Sequence, residues 1–181
     1  MAFDLAVYES HLRGADSAHN PLARYDALWK AFNQFYESFY AASDGRNPKE
    51  WELIHRAVGR VPAHKLGLVV DAACASGMAD MDLVFDERMW NRFEHRAEGR
   101  HSRVKAIVAR RTRGEAVGVA DVEQVADLLY VVRCNAAHGF KTPDGPRDLE
   151  VLDAATPVLR ALLDVLPVGL NVQGSAAAEA G

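Results

Sequence analysis

Three side chains with complementary chemistry, Arg133, Asn135 and His138, lie within six residues of one another. An imidazole transfers protons near neutral pH because its unperturbed pKa is ~6.5. A guanidinium binds a phosphate bidentately and stabilises the additional charge of a phosphoryl transition state. An amide such as that of Asn135 orients either the imidazole or an attacking hydroxyl. The combination indicates acid–base chemistry at a phosphate-like anion.

The three residues end a predicted helix that begins at Val119. Gly139 follows His138 directly and favours a left-handed stop, which puts His138 in the last turn. Asn135 and His138 share a helix face, whereas Arg133 lies ~140° away around the axis and must reach across with its long side chain. Apolar residues recur at three- and four-residue spacing along this helix, typical of a core-facing stripe: Val122, Val125, Ala126, Leu129, Val132 and Ala136.

A second apolar face is predicted on the same helix. Leu128 and Val131 lie on the side of Asn135 and His138, away from the core-facing stripe. In a monomer this face would remain exposed to water, and burying one Leu or Val side chain contributes ~1.5–3 kcal/mol. A second copy of the chain is the simplest partner, so we expect a homodimer through this helix.

The segment Arg133-Cys-Asn-Ala-Ala-His138 resembles the Arg-x4–6-His motif of the HEPN superfamily, small helical-bundle domains found in RNases, toxins and antiviral systems. Gly139, Lys141 and the following apolar-periodic helix, which starts with Asp148, are similar to the ApeA-like HEPN branch. The segment 27–36 is similar to the first bundle helix of that branch. The resemblance covers roughly residues 22–166 of the chain.

The resemblance implies metal-independent RNA cleavage, in which a 2′-hydroxyl attacks the neighbouring phosphate and leaves a 2′,3′-cyclic phosphate. It implies that Arg133 and His138 are catalytic and that Asn135 supports them, with further support from Tyr130 and Lys141. No cofactor is implied. The resemblance also implies dimerisation through the motif helix, and a toxin or phage-defence effector restrained by an antitoxin or nucleotidyltransferase partner.

Two alternatives to catalysis stay open. Many HEPN domains bind a nucleotide or a protein partner without cleaving RNA. The motif residues also have a purely structural interpretation: His138 and Asn135 would satisfy the last carbonyls of the helix and favour its dipole, and Arg133 would pair with a carboxylate of another helix.

Composition predicts one ordinary globular domain. Of the 181 residues, 49% are hydrophobic and 25% charged. No apolar run reaches the ~20 residues that span a bilayer, and the N-terminus does not resemble a signal peptide. The two cysteines, Cys74 and Cys134, lack metal-ligand spacing. We expect a cytoplasmic protein with free thiols and no metal site.

Charge is distributed unevenly along the chain. The net charge is −4, yet eight Lys and Arg residues and only two Glu lie between Arg92 and Arg113. This segment is interpreted either as a solvated, mobile charged loop or as a phosphate-binding surface beside the motif. In the second case, the candidate RNA-binding residues are Arg103, Lys105, Arg110, Arg111 and Arg113.

The complete pattern predicts an all-α fold, an up-and-down helical bundle of HEPN type with extra short helices. We divide the chain into an N-terminal extension (1–21), the bundle (22–166) and a disordered tail (167–181). Two antiparallel helical pairs are expected, the second formed by the motif helix and the final helix. Predicted helices cover 3–13, 22–42, 48–61, 65–75, 119–138 and 148–166, and two uncertain helical segments cover 87–98 and 102–113.

Overall fold

Seven α-helices make up the described part of the chain. The computed structural model describes residues 3–39, 47–80, 90–137 and 146–167, without the side chains of 90–98, 135, 137 and 146–148. The helices are α1 (Leu5–Ser17), α2 (Pro21–Glu37), α3 (Glu50–Val58), α4 (Leu66–Ala75), α5 (Trp90–Thr112), α6 (Val119–Ala137) and α7 (Pro146–Val165), with a 3-10 turn at Ala63–Lys65. No strand occurs within these ranges. The predicted all-α helical bundle is confirmed.

Side-chain caps set the first two helix starts. Asp4 accepts hydrogen bonds from the amides of Ala6 and Val7 at the start of α1. Asn20 accepts from the Ala23 amide at 2.7 Å, and Pro21 occupies the first turn of α2. The third helix does not start at residue 48, as the sequence predicted. It begins at Glu50, after Lys49, which makes no side-chain capping bond.

The aromatic residues of α2 form much of the core. The buried residues of this helix are Tyr25, Leu28, Trp29, Ala31, Phe32, Phe35 and Tyr36. The Phe32 and Tyr36 rings meet edge to face, with centroids 5.1 Å apart, an arrangement that aromatic quadrupoles favour. Tyr8 and Ala15 of α1 join the same core. The segment predicted as an N-terminal extension therefore packs as part of the bundle.

The predicted pairing of the motif helix with the final helix is wrong. α6 packs mainly along α5 and α3, and α7 packs mainly along α2 and α4. α6 and α7 touch over a smaller surface. The difference arises because α5 is a long helix that lies beside α6, where the sequence indicated an uncertain region.

The prediction that α6 has a second apolar face, exposed in the monomer, is also wrong at Leu128. This side chain is 0% exposed and belongs to the core of its own chain. α6 contacts five other helices, so both sides of it are covered within one molecule. Val131 is half-buried. The expectation that Leu128 needs a partner chain to be buried therefore does not hold.

The tail predicted to be disordered, from residue 168 on, lies outside the described residues. Within the described ranges, no helix combines the length and apolar character needed to cross a bilayer.

Candidate functional site

The motif lies at the C-terminal end of α6, the helix that the bundle surrounds. Residues 133–137 continue the helix that begins at Val119. His138 and Lys141 lie outside the described residues, and the side chain of Asn135 is not described. Of the predicted catalytic residues, only the side chain of Arg133 is described; whether the three meet in one pocket stays a prediction.

Arg133 is half-buried beside a carboxylate from another helix. Burial opposes the charge of its guanidinium, but Glu50, in the first turn of α3, attracts it and raises the pKa of Arg133. Interaction with the Cys134 thiol acts in the same direction. Arg133 is therefore a permanent cation held at the point where α3 and α6 meet.

Two tyrosines complete this group, which we call the Arg133 cluster (Tyr36, Glu50, Tyr130, Arg133 and Cys134). The Tyr36 hydroxyl donates to Oε1 of Glu50 at 2.5 Å. Burial and this hydrogen bond raise the pKa of Tyr36. Burial also raises the pKa of Tyr130, with Cys134 and Glu50 adding to the effect. Both phenols therefore stay protonated at neutral pH and remain hydrogen-bond donors.

The structure brings one of the predicted supporting residues to the motif. Tyr130 lies one turn before Arg133 on α6, and its ring packs against Trp29 with centroids 6.1 Å apart. The cluster thus offers one guanidinium and two phenol hydroxyls, all of which can bind an anion. Glu50 competes for the same donors, so an incoming phosphate would have to displace or share them.

A buried hydrogen bond holds the backbone that carries the motif. The hydroxyl of Tyr25 donates to the carbonyl oxygen of Leu129 at 2.7 Å. In an α-helix this carbonyl also accepts from the amide of the residue four positions later, which is Arg133. Full burial raises the pKa of Tyr25 well above its usual value. The first bundle helix, α2, is therefore anchored to the start of the motif.

The basic segment is helical rather than a loop. Residues 90–112 form the single helix α5, so the interpretation as a mobile charged loop is wrong for them. Arg110 pairs with Asp121 of α6, and Arg111 makes two hydrogen bonds to Asp71 of α4, at 2.7 and 2.8 Å. These arginines join α5 to its neighbours.

The remaining candidate RNA-binding residues lie nearer to solvent. Arg103 donates to the amide oxygen of Gln124 at 3.1 Å. Arg113 pairs with Glu115 two residues later, with its own side chain 62% exposed. Lys105 is exposed and has no ion pair among the described residues. Their role in RNA binding stays a prediction, and the chain's own carboxylates neutralise part of the predicted charge.

A polar group on α3, α5 and α6 was missed by the sequence analysis. Asp127 is only 8% exposed, and its Oδ1 lies 3.0 Å from Nε2 of His55. Its Oδ2 lies 3.7 Å from Nε of Arg100. The signal was available in the sequence, because Asp127 interrupts the apolar run from Val125 to Val132 at a core position. A charge at such a position requires partners from neighbouring helices.

Metal ligands do not gather in the described part of the chain. Among those residues, no group of three or more His, Cys, Asp or Glu side chains could hold a metal ion. Cys74 and Cys134, both half-buried, are free thiols. Burial is the main reason that the pKa of Cys74 is raised, so that thiol is a poor nucleophile.

Comparison with known proteins adds no relative: no family model, no curated protein and no solved structure matches this chain. The resemblance to HEPN domains therefore depends on the motif and on the helices that flank it.

Proposed function

We propose that this chain is a metal-independent endoribonuclease of the HEPN type, with its active site at the C-terminal end of α6. The observation that carries the proposal is the Arg133–His138 spacing at the end of this central helix. Support comes from the half-buried Arg133, which supplies a fixed cation beside two phenol donors. Such a group suits the binding of a phosphodiester.

In the proposed reaction, His138 accepts the proton of a ribose 2′-hydroxyl. The 2′-oxygen forms a bond to the adjacent phosphorus while the bond to the 5′-oxygen breaks, and the departing oxygen takes up a proton. The products are a 2′,3′-cyclic phosphate and a 5′-hydroxyl. Arg133 stabilises the charge on the non-bridging oxygens, and Asn135 orients the hydroxyl or the imidazole.

The proposal extends to biological context through the resemblance alone. A toxin or phage-defence effector would need restraint by a partner, an antitoxin or a nucleotidyltransferase. A homodimer through the motif helix is proposed on the same basis. Leu128 is buried within its own chain and no longer supports this interface. Of the two residues predicted to form it, only the half-buried Val131 is left.

A non-catalytic HEPN module that binds a nucleotide or a protein is the second candidate. Glu50 favours it, because this carboxylate attracts Arg133 and raises its pKa, as a structural ion pair would. In that case Arg133 stabilises the packing of α6 against α3. Replacing Arg133 would then lower the stability of the fold, and the protein would not cleave RNA with or without it.

The test is cleavage of a labelled RNA in EDTA by the wild type, by His138→Ala and by a control, His64→Ala. His64 is an exposed histidine in the 3-10 turn before α4. The wild type and the control should cleave equally, and the loss of an acid–base group should slow cleavage by about 100-fold or more. Full activity of His138→Ala would rule out the proposed site. Absence of cleavage by the wild type would favour the non-catalytic module.

A further inference from the structure

An exposed tryptophan lies beside the buried Asp127 group. Trp51 is 43% exposed, although it occupies α3 one turn before His55. The two rings meet edge to face, with centroids 5.5 Å apart and planes at 72°. The exposed part of this indole is open to stacking by an external aromatic group.

The neighbouring polar side chains are positioned and still reach solvent. Asp127 holds His55 through one carboxylate oxygen and faces Arg100 with the other. The side chains of His55 and Arg100 are 25% and 22% exposed, against 12% for Asp127. Asp127 thus contacts an imidazole and a guanidinium that both remain partly accessible to solvent, and the imidazole adjoins the indole of Trp51.

We propose that Trp51, His55 and Arg100 bind an unpaired nucleotide. Its base stacks on the open part of the Trp51 indole, and its phosphate lies against Arg100 and His55. Stacking on an aromatic side chain suits an unpaired base of any sequence, and a guanidinium forms charge-assisted hydrogen bonds with phosphate oxygens. Arg103, one turn further along α5, extends the positive surface for the next phosphate of a strand.

The site adjoins the Arg133 cluster. Asp127, Tyr130 and Arg133 follow one another at three-residue spacing on α6, so Asp127 and Arg133 are ~9 Å apart along the helix axis. α3 crosses the same stretch, with Glu50 near Arg133 and His55 near Asp127. As a substrate contact, the nucleotide site rests on the proposed function, because a strand stacked on Trp51 would continue towards the motif.

A purely structural role makes a different prediction. His55 and Arg100 also supply polar partners to the buried carboxylate of Asp127, and that role alone would join three helices. This structural role does not need the indole of Trp51, whose ring meets the His55 ring edge to face. Truncating Trp51 therefore separates ligand binding from support of the fold.

The experiment measures binding of a short fluorescein-labelled single-stranded RNA by anisotropy, in a His138→Ala background that leaves the RNA intact. Trp51→Ala should weaken binding about tenfold, the usual effect of losing one stacked base, and Trp51→Phe should retain most of the affinity. The matched control is Leu68→Ala, which removes another exposed apolar side chain, on α4 and 54% exposed, and should change nothing. Equal affinities for Trp51→Ala and Leu68→Ala would overturn the proposal.

Two further arms define the ligand. A duplex of the same sequence should bind more weakly than the single strand, because its bases are already stacked; equal binding would contradict a site for unpaired bases. Unlabelled AMP should displace the RNA if the site takes free nucleotides. Failure of AMP to compete, together with loss of binding in Trp51→Ala, would assign the site to an RNA strand.

Arg100→Gln tests the phosphate contact. It should weaken binding and reduce its dependence on salt, because one fewer counterion is released. An unchanged salt dependence would remove Arg100 from the site. If Arg100→Gln fails to fold by circular dichroism, the comparison of Trp51→Ala with Trp51→Phe decides the question.

The outcome is separable from that of the proposed function. RNA binding that depends on Trp51, without cleavage by the wild type, would support the nucleotide site and reject the nuclease. Cleavage that depends on His138, with binding indifferent to Trp51, would reject the nucleotide site and support the nuclease.

Discussion

Arg133 has neighbours unlike those of the arginines on α5. Arg110 and Arg111 each pair with one carboxylate of an adjacent helix. Arg133 instead belongs to a cluster with one carboxylate, two tyrosines and a thiol. Because the two phenols stay protonated, they provide neutral donors around the cation. A guanidinium in this setting can accept an anion without leaving Glu50 wholly unpaired.

Tyr25→Phe tests how the start of the motif is anchored. The change removes one hydroxyl and leaves the ring, so the core volume is nearly preserved. It breaks the 2.7 Å hydrogen bond to the Leu129 carbonyl, and loss of one such buried bond destabilises a protein by about 0.5–1.5 kcal/mol. Urea denaturation should show this loss of unfolding free energy.

Tyr8→Phe is the matched control for that change. Its hydroxyl donates to the carbonyl of Leu163 over 3.4 Å, a long and therefore weak hydrogen bond. Tyr8→Phe should therefore lower the free energy of unfolding by less than Tyr25→Phe does. Equal effects of the two substitutions would mean that the Tyr25 bond does not stabilise α6 specifically.

The sequence identified Arg133 and Tyr130 as neighbours of one site, but it did not identify Glu50 or Tyr36. Residues three apart on one helix are neighbours by geometry alone, so the first pair could be predicted. Glu50 and Tyr36 reach Arg133 from α3 and α2. That contact depends on how the helices cross, which local periodicity does not determine.

At the level of helices, ion pairs join α5 to α6 and α4. The basic segment looked like a surface for an external anion because the acidic partners of Arg110 and Arg111 lie outside that segment. In the folded chain, Asp121 and Asp71 lie beside Arg110 and Arg111 and offset their positive charges. Charge counted along the chain therefore overestimated the positive field that α5 presents to solvent.

Asp71→Asn should destabilise the protein in a pH-dependent way. Hydrogen bonds from Arg111 lower the pKa of Asp71 below its ordinary value. A carboxyl with a lowered folded-state pKa stabilises the fold above its unfolded pKa of about 3.9, and that contribution disappears as pH falls through the folded-state value. The urea midpoint of the variant should therefore lie below that of the wild type at pH 7, and the two should converge as the carboxyl is protonated.

The control for this pair is a carboxylate in a more exposed ion pair. The carboxylates of Glu115 and Asp71 are similarly exposed, at 44% and 47%, but Arg113 is 62% exposed against 32% for Arg111. Glu115→Gln should therefore change the midpoint less at any pH. A pH-independent deficit in Asp71→Asn would mean that the ion pair with Arg111 is not the cause.

Helix positions were largely predictable, and helix starts were less so. Periodicity located α2, α4, α6 and α7 because each has an apolar stripe. α3 begins at Glu50 rather than at the predicted residue 48, because local preferences locate a helix end only to within one or two residues. α5 was divided in prediction because charged residues interrupt its apolar spacing and Gly99 lies within it, which weakens any helical signal.

For the molecule as a whole, the burial of α6 determines what the motif helix can do. Its neighbours cover both sides, so a partner chain is not needed to shield Leu128 from water. The sequence could not reveal this, because an apolar face is the same pattern whether another helix of the chain or a second copy covers it. Where α3 and α5 pack on α6 determines whether the chain itself or a second copy covers this face.

Leu128→Ala should strongly destabilise the monomer. The side chain is 0% exposed, and truncation of a buried Leu to Ala reduces the free energy of unfolding by about 2–5 kcal/mol. Leu68→Ala, at a leucine 54% exposed, is the control and should change it little. Urea denaturation of both variants measures the difference. Similar, small effects would mean that Leu128 is not in the core.

Cleavage of labelled RNA by Arg133→Ala in EDTA, with product ends identified, is the most direct measurement of the proposed activity. The wild type should produce 2′,3′-cyclic phosphates, and so should Arg13→Ala, which removes an arginine that is 69% exposed on α1. Loss of one charge-stabilising donor commonly slows a reaction by about 100- to 1000-fold, so Arg133→Ala should be nearly inactive while circular dichroism shows a retained helical fold. Cyclic phosphate formation by Arg133→Ala at the wild-type rate would contradict a nuclease site at the end of α6.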